Sequence, residues 1–146
     1  MSLEPINPEE LGPPVGYSHG MLAPPGVRLL FVAGQVGWDR EQRLVAAELA
    51  PQFAQALRNV VQVVERAGGR PEHLARLTIY VTDRAEYIAA RREIGRRYRE
   101  IMGRHYPAMA LLVVRGLLDP AAKVEIEATA AIPLAGPAPP APAAAS

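Results

Sequence analysis

Two stretches of this chain are apolar on both sides of a would-be strand. Leu29, Phe31 and Ala33 alternate with Leu30 and Val32, and Leu111 and Val113 alternate with Leu112 and Val114. Successive strand residues point to opposite faces, so a sheet built from these stretches needs apolar cover above and below. The covering elements are legible. Phe53, Leu57, Val60, Val61 and Val64 fall on one face of a helix, and Gly68-Gly69 supplies the left-handed stop that residues with a Cβ resist. Leu77, Ile79 and Val81 alternate with Thr78, Tyr80 and Thr82, the period of a strand. Asp83, with Glu86 in the capping-box position, opens a second helix through Ile88, Ile94, Tyr98, Ile101 and Met102 to Gly103.

Residues Tyr17 to Met21 and Arg28 to Ala33 read as strands joined in a hairpin by Pro24-Pro25-Gly26, and two further strands follow the second helix. The order ββαβαββ predicts an α+β domain, a sheet whose right-handed crossovers place both helices on one face. Two helices leave the other apolar face in water. A patch of that kind exceeds the few hundred Å² that a typical monomer exposes, so the pattern predicts self-association through the sheet.

With 146 residues, the chain suits one domain that removes roughly two thirds of its unfolded surface from water. Residues 1–14 form a Pro-rich N-terminal segment with Pro5, Pro8, Pro13 and Pro14; residues 15–132 form the folded unit. Residues 133–146, nearly all Pro, Ala and Gly, read as a disordered tail in which Leu134 alone offers a large side chain to dock. Lys and Arg number 16 against 15 Asp and Glu, so no overall field draws the protein to nucleic acid or anionic lipid. The absence of cysteine removes disulfides, thiolate zinc sites and thiol nucleophiles. His19, His73 and His105 lack metal-ligand spacing, and no phosphate loop, nucleotide fingerprint or serine elbow points to a cofactor. Neither a signal peptide nor a membrane span is legible, and the expected location is the cytoplasm.

The last strand has the cleanest alternation, with Val124, Ile126, Ala128 and Ala130 on one face and Glu125, Glu127 and Thr129 on the other. Its Val124-Glu125-Ile126-Glu127-Ala128, the preceding Tyr106-Pro107-Ala108 and Leu118-Asp119-Pro120, and the earlier Gly16-Tyr17-Ser18 and Phe31-Val32-Ala33-Gly34-Gln35 carry a likeness. Together they resemble the RidA family (also YjgF or L-PSP), small trimeric proteins whose best-known members hydrolyse reactive imines and enamines. The resemblance implies a chorismate-mutase-like fold, a homotrimer with a barrel-like centre, and small-molecule sites in clefts between subunits. It assigns Glu125 to the water that attacks the imine carbon, a role a partly desolvated carboxylate can fill. It also places Tyr17, Gly34, Met109 and Leu111 around the ligand. Glu127 and His19 receive no such role.

Met109 stands where the resemblance calls for an arginine that clamps a substrate carboxylate. A guanidinium offers two parallel charge-assisted hydrogen bonds, whereas a thioether donates none. A carboxylate left in a cleft without its partner costs about 3–5 kcal/mol, enough to change the substrate class. Arg115 shares the parity of Met109 but lies about 20 Å along the strand. Leu111 makes the wall more apolar still. The expected ligand is therefore small and mostly uncharged or apolar, and any hydrolysis of a C=N bond proceeds without the arginine. Two alternatives stay open: a binding or regulatory module without turnover, and an endoribonuclease or translation inhibitor. Against the last, Arg92, Arg96 and Arg99 on the second helix are interleaved with Glu93 to Arg97 and Glu100 to Arg104 pairs, the pattern of a solvated face.

Overall fold

The computed structural model describes residues 2–134 and Ala143. Its main sheet contains β3 (Val27–Val36), β4 (Leu74–Val81), β5 (Ala108–Val113) and β6 (Val124–Pro133), in the spatial order β3-β6-β4-β5. Two helices, α1 (Leu49–Arg66) and α2 (Arg84–Met102), make the crossovers. β6 runs antiparallel to both neighbours, while β4 and β5, joined through α2, are parallel. This is the α+β sheet with two helices on one face that the periodicities predict.

The core lies between that face and the helices. Phe53, Leu57, Val60 and Val64 of α1 and Ile94 and Tyr98 of α2 pack on Leu77, Ile79 and Val81 of β4 and Val124, Ile126 and Ala130 of β6. Leu57, with no exposed surface, contributes about 2 kcal/mol by its burial. Both helices end as read: Gly68 adopts φ 89° and Gly103 φ 64°. At the start of α2 the Asp83 side chain accepts the Glu86 N–H (2.9 Å), an N-cap. The Glu86 carboxylate does not close the box and turns instead to the Lys123 ammonium at 2.6 Å.

The other face of the sheet is bare in the single chain. Leu29 is 60% exposed, Phe31 74% and Leu112 44%. Strand β3 carries an irregularity there: Val32 pairs with Ala128 and Gln35 with Ile126, so Ala33 and Gly34 together oppose Glu127. The extra residue reverses the side-chain parity beyond it. Val36 consequently sits beside Glu125 on the bare face, although simple alternation from Val32 would put it under α1.

The hairpin expected from Tyr17–Met21 and Arg28–Ala33 is not formed. The first of these segments yields only β2 (Gly20–Leu22), which pairs with β1 (Glu4–Ile6) in a separate two-stranded ribbon. Consecutive prolines at 24 and 25 fix φ and lack the N–H groups a hairpin ladder needs, and the chain bends at Pro25 and Gly26 (φ 77°) as it passes from ribbon to sheet. The Pro-rich N-terminal segment is thereby structured, and Leu3 is buried. Its loop is held by the His19 N–H donating to Asn7 Oδ1 (2.8 Å) and by His19 Nε2 beside the Gly12 carbonyl (3.0 Å). At the other end, Leu134 donates its N–H to the Gly26 carbonyl (3.1 Å) while its side chain stays exposed. The disordered tail expected beyond it lies outside the described residues, Ala143 apart.

Candidate functional site

Glu125 occupies the second position of β6, half-buried on the bare face, with Val36 on one side and Tyr80 on the other. Its carboxylate lies over the backbone of Gly34. A Cβ at Gly34 would come within 2.8 Å of the Glu125 carboxyl carbon and closer still to Oε2. The missing side chain therefore lets the glutamate lie directly against the β3 backbone, and a Cβ there would push its carboxylate aside. Glu125 has no hydrogen-bond or ion-pair partner among the described residues, so none of them competes with a ligand or a water for its carboxylate.

Glu127, two residues on, has a different setting. Its carboxylate accepts the Tyr80 hydroxyl at 2.6 Å across the strands. That hydrogen bond holds the Tyr80 hydroxyl above its usual pKa, so Tyr80 stays a donor at neutral pH. Nothing in the sequence singled out Tyr80; the only signal was its place among the polar residues of β4.

Tyr17, Met109 and Leu111 gather elsewhere. Ser18 continues the main sheet past β5: it bridges Ala108, its N–H donates to the Pro107 carbonyl (3.1 Å), and its hydroxyl donates to the Tyr106 carbonyl (2.6 Å). Tyr17, one residue away, is held edge-on against the His19 ring at 5.2 Å. Met109 and Leu111 pair with Leu77 and Ile79, and so point to the helix-bearing side. Met109 packs against the core, and Leu111 is 38% exposed.

The five residues singled out by sequence thus divide into two groups. Glu125 and Gly34 meet on the bare face at β6 and β3; Met109 and Leu111 lie on the opposite side on β5, with Tyr17 next to the edge of that strand. Strand β4 lies between β6 and β5, which separates the groups by about 10 Å besides the thickness of the sheet. One chain does not bring them together. Arg115 lies beyond the end of β5 and lines, with Thr82, Lys123 and Leu117, an open cavity of about 810 Å³.

A buried side chain that the sequence did not flag positions the start of β6. Gln52 of α1 has no exposed surface. Its Nε2 donates to the carbonyls of Ala46 (2.9 Å) and Ala121 (3.1 Å), and its Oε1 accepts the Lys123 N–H (2.8 Å). One amide thus ties the loop before α1 to the loop that delivers Glu125. The close approach requires Gly37, where a Cβ would meet the Gln52 backbone at 2.6 Å.

Among the described residues no group of His, Cys, Asp and Glu could hold a metal ion, and no helix is long and apolar enough to cross a membrane.

The chain matches the family described as endoribonuclease L-PSP over residues 8–132. It is 27% identical over 124 residues to a Homo sapiens protein named 2-iminobutanoate/2-iminopropanoate deaminase, covering 84% of this chain and 82% of that one. A RutC family protein of Pasteurella multocida is 29% identical over 102 residues, 70% of this chain and 78% of its own. Among solved structures, a Yersinia pestis protein of unknown function from the conserved Rid family, YyfB, superposes with a TM-score of 0.81 at 33% identity, covering 90% of this chain and all (100%) of that one. The Escherichia coli YjgF gene product gives a TM-score of 0.62 at 27% identity, over 86% of this chain and 92% of its own.

Proposed function

This chain belongs to the endoribonuclease L-PSP family, and from that premise we propose that it works as a homotrimer whose inter-subunit clefts bind a small ligand and hydrolyse a C=N bond. The observation that carries this reading is the division of the candidate site. A partnerless carboxylate stands on a bare apolar sheet face, and the wall that would complete a pocket lies on the opposite side at the far edge. A second copy packed on the bare face supplies both the missing cover and the missing wall.

In such a cleft Glu125 takes a proton from water as its oxygen attacks the imine carbon. The π electrons of the C=N bond pass to nitrogen, which takes up a proton, and the carbinolamine collapses to a carbonyl compound and ammonia or an amine. Tyr17 and the backbone at Gly34 position the ligand, while Met109 and Leu111 receive an uncharged or apolar part of it. The human relative's name supports the reaction class. Met109 directs the chain away from substrates that need a carboxylate clamp at that wall.

The test is a coupled assay of 2-aminoacrylate and 2-iminobutanoate, followed by a screen of imines without an α-carboxylate. The wild type is expected to do little with the first two, Met109→Arg to gain activity on them, and Glu125→Gln to lose turnover of any imine accepted while keeping its fold. Turnover unchanged in Glu125→Gln refutes the assignment. Saturable binding without turnover would favour the second reading, a binding module, for which Met109 is the specific observation.

A further inference from the structure

The charges on α2 do not pair as the sequence suggested. Glu93 holds Arg97 at 2.9 Å as expected, but Glu100 pairs with Arg96 at 2.8 Å and not with Arg104. Both glutamates therefore spend themselves on Arg96 and Arg97. Arg91, Arg92 and Arg99 form no ion pair among the described residues, and together with Ile88, Ala89 and Gly95 they line an open groove of about 410 Å³. Among the described residues no acidic side chain lines it. Gly95 lets the Arg99 guanidinium fold back over the helix: a Cβ there would lie 3.3 Å from Arg99 Nη1.

The orientation of this flank follows from the rest of the helix. Glu86, Ala90, Glu93 and Arg97 form one side, at spacings of four, three and four. On that side Glu86 reaches Lys123 at the root of β6, the strand on the far side of β4 from β5. Arg84, Ile88, Arg91, Gly95 and Arg99 form the other side, across the buried Ile94 and Tyr98. It faces outward past β5, and the Tyr98 ring stacks on Tyr106 at the start of that strand (5.4 Å). The groove therefore lies on the flank of α2 nearer β5, the strand that carries Met109 and Leu111.

We propose that this groove binds an oxyanion, a phosphate or a carboxylate, carried by a small ligand whose uncharged end lies on the Met109–Leu111 wall. Three cations along one helix flank repel one another, and an oxyanion relieves that repulsion while accepting hydrogen bonds from their guanidinium groups. Apolar Ile88 and Ala89 suit the body of such a ligand. Placement of the uncharged end rests on the cleft reading above; the anion site itself does not. The substrate class that results is an imine or related electrophile with its negative charge remote from the reacting carbon.

The experiment uses the full chain labelled with ¹⁵N at low chloride, observing arginine Nε–H and backbone resonances during titration with inorganic phosphate and, separately, benzoate. Saturable shifts confined to the 88–99 segment are expected with at least one probe, and whichever probe binds more tightly names the anion. Arg92→Gln with Arg99→Gln should weaken binding by about tenfold or more without changing the melting temperature. Glu125→Gln should leave the affinity unchanged, which separates failure of this site from failure of the catalytic reading. Absence of saturation, or equal shifts at Arg40, Arg84 and Arg104, overturns the proposal. So does an RNA oligonucleotide that binds this flank more tightly than either small anion.

Discussion

Replacing Gln52 by Leu keeps most of the side-chain volume in a site with no exposed surface, so little cavity is created. What is lost is the hydrogen bonding of Ala46, Ala121 and the Lys123 N–H, with distances of 2.8–3.1 Å. Each net bond is worth about 0.5–1.5 kcal/mol, and leaving its partner dry costs more. Ala46 and Ala121 are not buried, so water recovers part of their share, and the added apolar burial of leucine returns about 1 kcal/mol. The net loss expected is about 2 kcal/mol. For a chain of this size that lowers the melting temperature by about 4–8 °C, measured by circular dichroism at matched protein concentration. Amide exchange separates this local account from a general weakening: protection of the Lys123 N–H should collapse, whereas Leu57 and Val60 should lose only the global increment. A loss under about 0.5 kcal/mol, or a Lys123 amide as protected as before, refutes the argument that this one amide holds the Glu125 loop.

Phe31→Asp puts a charge on the bare sheet face, where Phe31 is 74% exposed in the single chain. If that face is covered by other copies, sedimentation should change from oligomer to monomer; an unchanged assembly would place the interface elsewhere. His73 should give the fold an acid-sensitive component. Burial lowers its pKa below the ordinary 6.5, and its Nδ1 accepts the Arg70 N–H at 2.9 Å. The unfolded chain therefore takes the proton first, so this contribution is whole above about pH 6.5 and is lost as pH falls through the lower folded value. Urea midpoints should decline over that range, and less steeply in His73→Gln; an identical slope in the variant rejects the assignment.

Elements fixed by local chemistry were legible in the sequence. The stripe from Phe53 to Val64, the left-handed Gly68 and the Asp83 cap each depend on neighbours within one or two helical turns, and each is found as read. The partner of Gly20–Leu22 was not legible. Glu4–Ile6 is three residues long, lies far upstream and shows no alternation, while Pro24-Pro25-Gly26 advertised a turn. Nor does Ala33-Gly34 announce that it will bulge, although the bulge puts Val36 beside Glu125. Gln52 looked like one more polar residue of α1, because a helix pattern says nothing about backbone groups delivered by two distant loops. The candidate site residues were identifiable one by one through resemblance. Their division between two sides of the sheet is a matter of pairing register, which no single residue encodes.

That division has a genetic consequence in the proposed trimer. If each cleft takes Glu125 from one chain and the β5 edge from the next, a lesion in either half travels with its own subunit. Two alleles, one carrying Glu125→Gln and one carrying a damaged Leu111 wall, are each silent alone. Co-expressed, every hybrid trimer closes one cleft from the two intact halves, so activity returns in the cross of two null alleles although neither chain has been repaired.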